Sequence, residues 1–175
     1  MIGTDTPIAI RWVRDARDLR QAKALRLRVF CDEQGVPREA EVDAYDDVAR
    51  HAIAVAPDGA VVGTLRLMSS GPLVKVGRVA VDRAWRGRGI ASELLDRAME
   101  YAQGIRAEEL RLAAQVAAEG LYRKAGYRPV GRPFTEAGIE HVWMVREVVP
   151  PRRRRLGRPA RRDRADVPPG TDPGA

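Results

Sequence analysis

The hydrophobic period changes abruptly near the middle of the chain, and this change restricts the fold more than any other feature. From His51 to Val81 the apolar residues are grouped in short strand-like runs. From Ile90 onward Ile90, Leu94, Leu95, Ala98, Met99 and Ala102 line one face of a helix that Gly104 can terminate. Between the two lies Trp85-Arg-Gly-Arg-Gly89, so a strand ends in a glycine-bearing turn that opens directly into an amphipathic helix. First-turn amides have no partner inside a helix and the helix dipole favours negative charge there, so this turn can cradle an anion such as a pyrophosphate. Arg86 and Arg88 add positive charge. The stretch is neither Gly-x-Gly-x-x-Gly nor a Walker loop, because no Gly-Lys-Ser/Thr follows.

The flanking segments extend this strand–turn–helix in both directions. Residues 8–13 read as a short strand, and Asp15 can cap a helix in which Leu19, Ala22, Leu25, Val29 and Phe30 recur at near-helical spacing. From Asp32 to Arg50 there is no period; Gly35, Pro37 and the acids Glu39, Glu41, Asp43, Asp46 and Asp47 mark a long polar segment. Residues 51–56 and 60–68 flank Pro57-Asp58-Gly59 as a hairpin, and Ser69–Pro72 turns into a third strand at 73–81. After the central helix, 109–114 reads as a strand, 117–125 as a short helix closed by Gly126, and 141–149 as a last strand. The predicted order is β-α-β-β-β-α-β-α-β-β, an α/β chain whose strand–helix–strand units imply locally parallel pairing in a mixed sheet covered by helices.

Composition narrows the function classes. Hydrophobic residues make up 45% and charged residues 31% of the 175, and no apolar run approaches the roughly 18 residues of a membrane span. The amino terminus lacks the basic start and apolar stretch of a secretory signal, so a cytoplasmic protein without a membrane partner is expected. Cys31 is the single cysteine, and His51 and His141 lack the spacing of paired ligands on one helix, so no metal is expected. The net charge of +7 is concentrated at the end of the chain. Residues 150–175 hold eight Arg against three Asp, which leaves only +2 for the rest. That segment also carries six of the twelve prolines and no aromatic residue, so a domain at 1–149 followed by a disordered basic tail is expected. The clustered arginines could neutralise nucleic-acid phosphates, but the three aspartates and the lack of stacking groups favour a solvated extension. A homodimer is compatible with this reading, and nothing in the sequence sets the oligomeric state.

Two segments together resemble a known family. Arg86-Gly-Arg-Gly89-Ile-Ala91 resembles the (Gln/Arg)-x-x-Gly-x-(Gly/Ala) motif of the GNAT acetyltransferases, and Gln115-Val-Ala-Ala118-Glu-Gly-Leu121-Tyr122-Arg-Lys-Ala-Gly126-Tyr127 resembles their Asn-x-x-Ala-x-x-Leu-Tyr-x-Lys-x-Gly-Phe segment. The resemblance spans residues 8–149. It implies a mixed, mostly antiparallel twisted sheet flanked by helices, with a splayed gap between the fourth and fifth strands that receives acetyl-CoA as acetyl donor. It further implies pantetheine contacts at Val79, Ala80 and Val81, pyrophosphate contacts at Arg86, Gly87, Arg88, Gly89, Ile90, Ala91 and Ser92, and a pantetheine contact at Gln115, where asparagine is usual. Tyr122 matches the tyrosine that protonates the departing thiolate, and a phenol suits that step because it holds its proton near pH 7.

The acceptor implied by the resemblance is a primary amine on a small molecule or a peptide, which must lose a proton before it attacks a thioester. Glu33, Glu41, Asp43, His51, Glu136 and His141 lie in segments that could line the acceptor side, and Glu33 and His51 join Tyr122 as the candidate catalytic residues. Arg28-Val-Phe30, Glu33-Gln34, Glu41-x-Asp43-x-x-Asp46, His51 and Thr135–His141 resemble the ElaA/YjcF-like branch. Arg28, Asp43, Asp46 and Arg66 are also placed like the charged cluster of acyl-homoserine lactone synthases, which acylate an amino-acid-derived amine; an ion-pair network that positions the long loop is the alternative. Trp12, Trp85, Trp143 and Phe134 are read as dispersed packing residues, and Cys31 as inert. A non-catalytic acyl-CoA-binding module is the competing function.

Overall fold

The computed structural model describes residues 7–150. The expected basic tail and its nucleic-acid contact fall on residues that lie, from 151 onward, outside the described part.

Seven strands form one sheet: β1 (Ala9–Trp12), β2 (Arg50–Val55), β3 (Val61–Ser70), β4 (Leu73–Val81), β5 (Glu109–Gln115), β6 (Arg128–Glu136) and β7 (Ile139–Glu147). Their spatial order is β1-β2-β3-β4-β5-β7-β6, and only β4 and β5 pair in parallel. The expected mixed, mostly antiparallel α/β sheet is therefore present. Two features escaped sequence reading. β6 has bounds that the sequence pattern does not set, although the predicted order ends on two strands, and β7 inserts between β5 and β6, so the sheet ends on the hairpin's first strand.

Helices cover the two faces unequally. α1 (Ala16–Arg26) starts at Asp15, whose carboxylate accepts from the Asp18 amide at 2.9 Å, and buries Ala22 and Leu25 against Ile53, Val61 and Ala80 on β2, β3 and β4. It continues as a π-helical stretch, Leu27–Glu33, carrying the helix two residues into the segment expected to be irregular from Asp32. That segment then makes a single turn, α2 (Arg38–Glu41), and a 3₁₀ turn, Ala44–Asp47. On the other face α3 (Ile90–Gly104) lays the predicted stripe of Ile90, Leu94, Leu95, Ala98 and Ala102 over Leu65, Leu67, Val74, Val76, Leu110 and Leu112. α4 (Glu119–Lys124), preceded by the 3₁₀ turn Val116–Ala118, adds Tyr122 to the same core. Gly63 permits the close approach of β3 to α3, since a Cβ there would lie 2.7 Å from Ile90 Cγ2.

Candidate functional site

β4 and β5 are in register only at Leu73–Lys75 against Glu109–Arg111. Beyond these pairs both strands run on, to Val81 and Gln115, without pairing to each other, so the sheet splits into a V. A bulge sets the divergence: Thr64 pairs with Ala80 and Arg66 with Gly77, so Arg78 and Val79 face the single residue Leu65. Arg78 adopts φ +54° there, a left-handed conformation uncommon outside glycine. Backbone groups of residues 76–81 on the β5 side thus lack a strand partner and can meet amides of an extended ligand.

The gap opens into a cleft of about 1230 Å³. At one end is the N-terminus of α3, where Gly89 occupies the cap position at φ +80° and no side chain caps the first-turn amides. Gly87 is also left-handed, at φ +75°, and a Cβ at either position would meet nothing within 4 Å, so the space over the cradle is free for a ligand. This geometry fits a pyrophosphate. Val79, Ala80, Val81, Arg86, Gly87, Gly89, Ile90, Ala91, Ser92, Gln115 and Tyr122 all line the cleft. Arg88 does not; its guanidinium sits 4.7 Å from the centre of the Trp85 ring and donates back to the Ala84 carbonyl. Both arginines are tied to neighbouring groups rather than extended over the cradle. Arg86 donates from Nε to the Val81 carbonyl at 3.0 Å and from a terminal nitrogen to Glu33 Oε2 at 2.8 Å.

Tyr122 is buried beside the gap, edge-on to Tyr127 at 6.1 Å between ring centres. Burial pushes its phenol up to about 12, so it holds its proton throughout the neutral range. Gln115 donates to Gln34 Oε1 at 2.7 Å across the cleft, joining the end of β5 to the end of the π-helical stretch.

The acceptor-side candidates separate clearly. His51 lies on β2 away from the cleft, buried, with Nε2 2.9 Å from the Asp46 carbonyl oxygen; burial lowers its affinity for a proton. Glu33 is outside the lining as well, and its carboxylate is engaged by Arg86 at the cradle. Both placements correct the expected positions on the acceptor side. His141 and Glu136 do line the cleft. The Nδ1 of His141 is 2.8 Å from the Ile139 carbonyl oxygen, which can only accept, so the proton belongs on Nδ1 and the neutral ring keeps its lone pair on Nε2. The β5–β7 register sets His141 directly opposite Gln115, at the open end of the gap.

The charged residues form a largely buried network beside the cleft, which Glu41 and Arg78 line. Arg26 pairs with Glu41 and, at 2.7 Å, with Asp46; Arg66 reaches Asp43 and Asp46 at 2.6 and 2.9 Å; Arg78 reaches Glu41 and Asp43 at 2.8 and 3.3 Å. Burial alone would raise the Asp46 pKa, but the two guanidiniums bring it below the usual carboxylate range. The arginine from α1 is Arg26, not the expected Arg28, which pairs with Asp82 at 3.4 Å. The pairs made by Arg26, Arg66 and Arg78 tie the polar segment at 41–46 to α1, β3 and β4. Asp18, at the start of α1, is held down to about 2 by its hydrogen bond from Arg11. Cys31 is half-buried, and burial pushes its thiol up, which keeps it protonated.

The aromatic residues correct the reading of dispersed rings. Phe134 on β6 stacks on His141 and on Trp143 of β7, with ring centres 5.8 and 5.5 Å apart and planes 23° and 27° from parallel, and all three line the cleft.

Comparison with known proteins agrees with this geometry. The Acetyltransferase (GNAT) domain family matches residues 16–148. The uncharacterized N-acetyltransferase YjcF of Bacillus subtilis is 30% identical over 135 residues, covering 77% of this chain and 96% of YjcF. The crystal structure of an acyl-CoA N-acyltransferase from Pseudomonas aeruginosa superposes with a TM-score of 0.71 at 29% identity, covering 81% of this chain and 99% of that one. Escherichia coli ElaA superposes at 0.72 with 26% identity, covering 81% and 100%. Among the described residues no helix is long and apolar enough to cross a membrane.

Proposed function

The chain belongs to the GNAT acetyltransferase family, and on that premise we propose that it transfers an acetyl group from acetyl-CoA directly to a primary amine of a small molecule or peptide. The observation that carries this reading is the V-shaped gap that joins an uncapped helix N-terminus to a buried tyrosine. When bound, the thioester supplies an activated acyl carbon. The chain's own residues do the rest. The amides of the Arg86–Ala91 turn hold the pyrophosphate, and the unpaired backbone of Val79–Val81 holds the pantetheine and meets the charge that gathers on the acyl oxygen. His141 Nε2 takes the proton of the attacking amine as the carbon–nitrogen bond forms, because His141 is the lining histidine with an accepting nitrogen. Tyr122 hydrogen-bonds the sulfur as the carbon–sulfur bond breaks and gives it a proton; His141 and Tyr122 then exchange protons with solvent.

A panel of primary amines followed by release of free thiol tests the reading. We expect turnover of at least one amine, a loss of about 10²-fold or more in kcat for Tyr122→Phe, and retained acetyl-CoA binding in that variant. Gly89→Asp places a carboxylate over the cradle and should abolish acetyl-CoA binding while the fold persists. Unchanged turnover in Tyr122→Phe would remove the phenol from the mechanism, and binding without turnover of any amine would leave an acyl-CoA-binding module.

A further inference from the structure

α1 packs on β2, β3 and β4, and among the described residues its face of the sheet carries no such helix over β5, β7 and β6. The residues of β7 that point to the other face, Val142 and Met144, belong to the α3 core. Those alternating with them, His141 and Trp143, share the open face with the β5 residues in register with them, Gln115 and Ala113. Phe134 joins them from β6. Between the pairs Val130–Trp143 and Phe134–His141, three residues of β6 stand against one of β7, with Gly131 at φ +75° inside the bulge and Pro133 beside it. The bulge on this edge strand brings Phe134 into near-parallel contact with both β7 rings. Half-buried rings on a sheet face that no described helix covers mark a binding surface, and this one is continuous with the cofactor gap through the pairing of His141 with Gln115.

We propose that the acceptor amine is carried on a planar aromatic ring, held by stacking on the Phe134–His141–Trp143 wall. This rests on the transferase reading above and names its substrate class. The stack places parallel ring surfaces beside the base, so a ring seated in continuation of them brings a short aminoalkyl arm to His141 Nε2. Lys75 sets the polarity of the same wall: its ammonium lies 5.5 Å from the centre of the Trp143 ring and makes no ion pair among the described residues. A diamine or polyamine would bring a second positive charge beside it, whereas a neutral ring does not.

The test compares phenethylamine and tryptamine with cyclohexylethylamine and cadaverine, using full-length protein. Turnover is read as kcat/KM, and binding to the protein loaded with coenzyme A is read by Trp143-dependent fluorescence. We expect the aromatic amines to exceed the saturated ones by about tenfold. Phe134→Leu, which keeps apolar bulk without a ring, and Trp143→Ala should both erase that ratio and leave acetyl-CoA affinity unchanged. Aromatic amines that bind with this dependence but are not acetylated would uphold the wall and overturn the transferase reading. Equal or preferred turnover of cyclohexylethylamine or cadaverine would overturn the wall and uphold the transferase. A dimer that dissociates on Phe134→Leu, with no amine bound by the wild type, would show that a second copy covers this face and would also overturn the proposal.

Discussion

Tyr122 shows how one residue's surroundings set its chemistry. Its phenol touches Tyr127 and the α3-side core, and desolvation alone accounts for its rise to about 12. The unfolded chain ionises the same phenol near its ordinary value of 10, so between these values the native state holds the extra proton. Stability from this group is present below pH 10 and is lost as pH rises toward 12. We expect unfolding experiments to show roughly 2 to 3 kcal/mol less of this alkaline loss in Tyr122→Phe than in the wild type. The same shift means that no basic limb below about pH 10 in a rate profile comes from Tyr122. The candidacy of Tyr122 was legible in the Leu121-Tyr122 segment; its burial was not, because it depends on the core formed with α3 and on Tyr127.

At the scale of elements, the end of the π-helical stretch acts as a clasp on the cleft. Glu33 holds Arg86 at the cradle and the next residue, Gln34, holds Gln115 at the gap. On the proposed reading, a diphosphate in the cradle would compete with the Glu33 carboxylate for Arg86. Removing that competitor in Glu33→Gln should tighten acetyl-CoA binding by about two- to fivefold, in line with an exposed ion pair, with kcat retained. Calorimetric titration beside turnover measures both, and a collapse of kcat would return Glu33 to the role of base. Sequence periodicity reached α1 and α3 because each buries a stripe at helical spacing. It missed the clasp because Glu33 and Gln34 have no local pattern, and their partners lie 53 and 81 positions away.

Across the whole molecule, the largely buried network of Arg26, Glu41, Asp43, Asp46, Arg66 and Arg78 binds α1, the polar segment, β3 and β4 together beside the cleft. Asp46 serves two arginines and is 1% exposed, so Asp46→Asn leaves both guanidiniums short of charge. We expect it to cost about 3 to 5 kcal/mol in chemical denaturation, and hydrogen exchange to report opening of residues 38–47 first. Arg66→Lys should cost less but widen the cleft, because an ammonium cannot hold two carboxylates in the planar fork.

What the sequence determined by itself is whatever short-range physics writes locally: the change of period at Gly89, the Asp15 cap, the Pro57–Gly59 turn and the two motif segments that resemble the family. These rest on helix termini, turn chemistry and amphipathic spacing, all confined to a few consecutive residues. Only the tertiary structure decided that β7 would insert between β5 and β6, because strand order depends on which sheet edges stay free for pairing, and β7 takes the edge of β5 that faces away from β4. That insertion brings His141 to Gln115 and lets Phe134 and Trp143 stack. It likewise separated equals. His51 and His141 read alike in the sequence, yet β2 folds one beneath α1's side of the sheet beside Asp46 and β7 sets the other in the cleft, since a residue's solvent and partners are properties of the packed sheet.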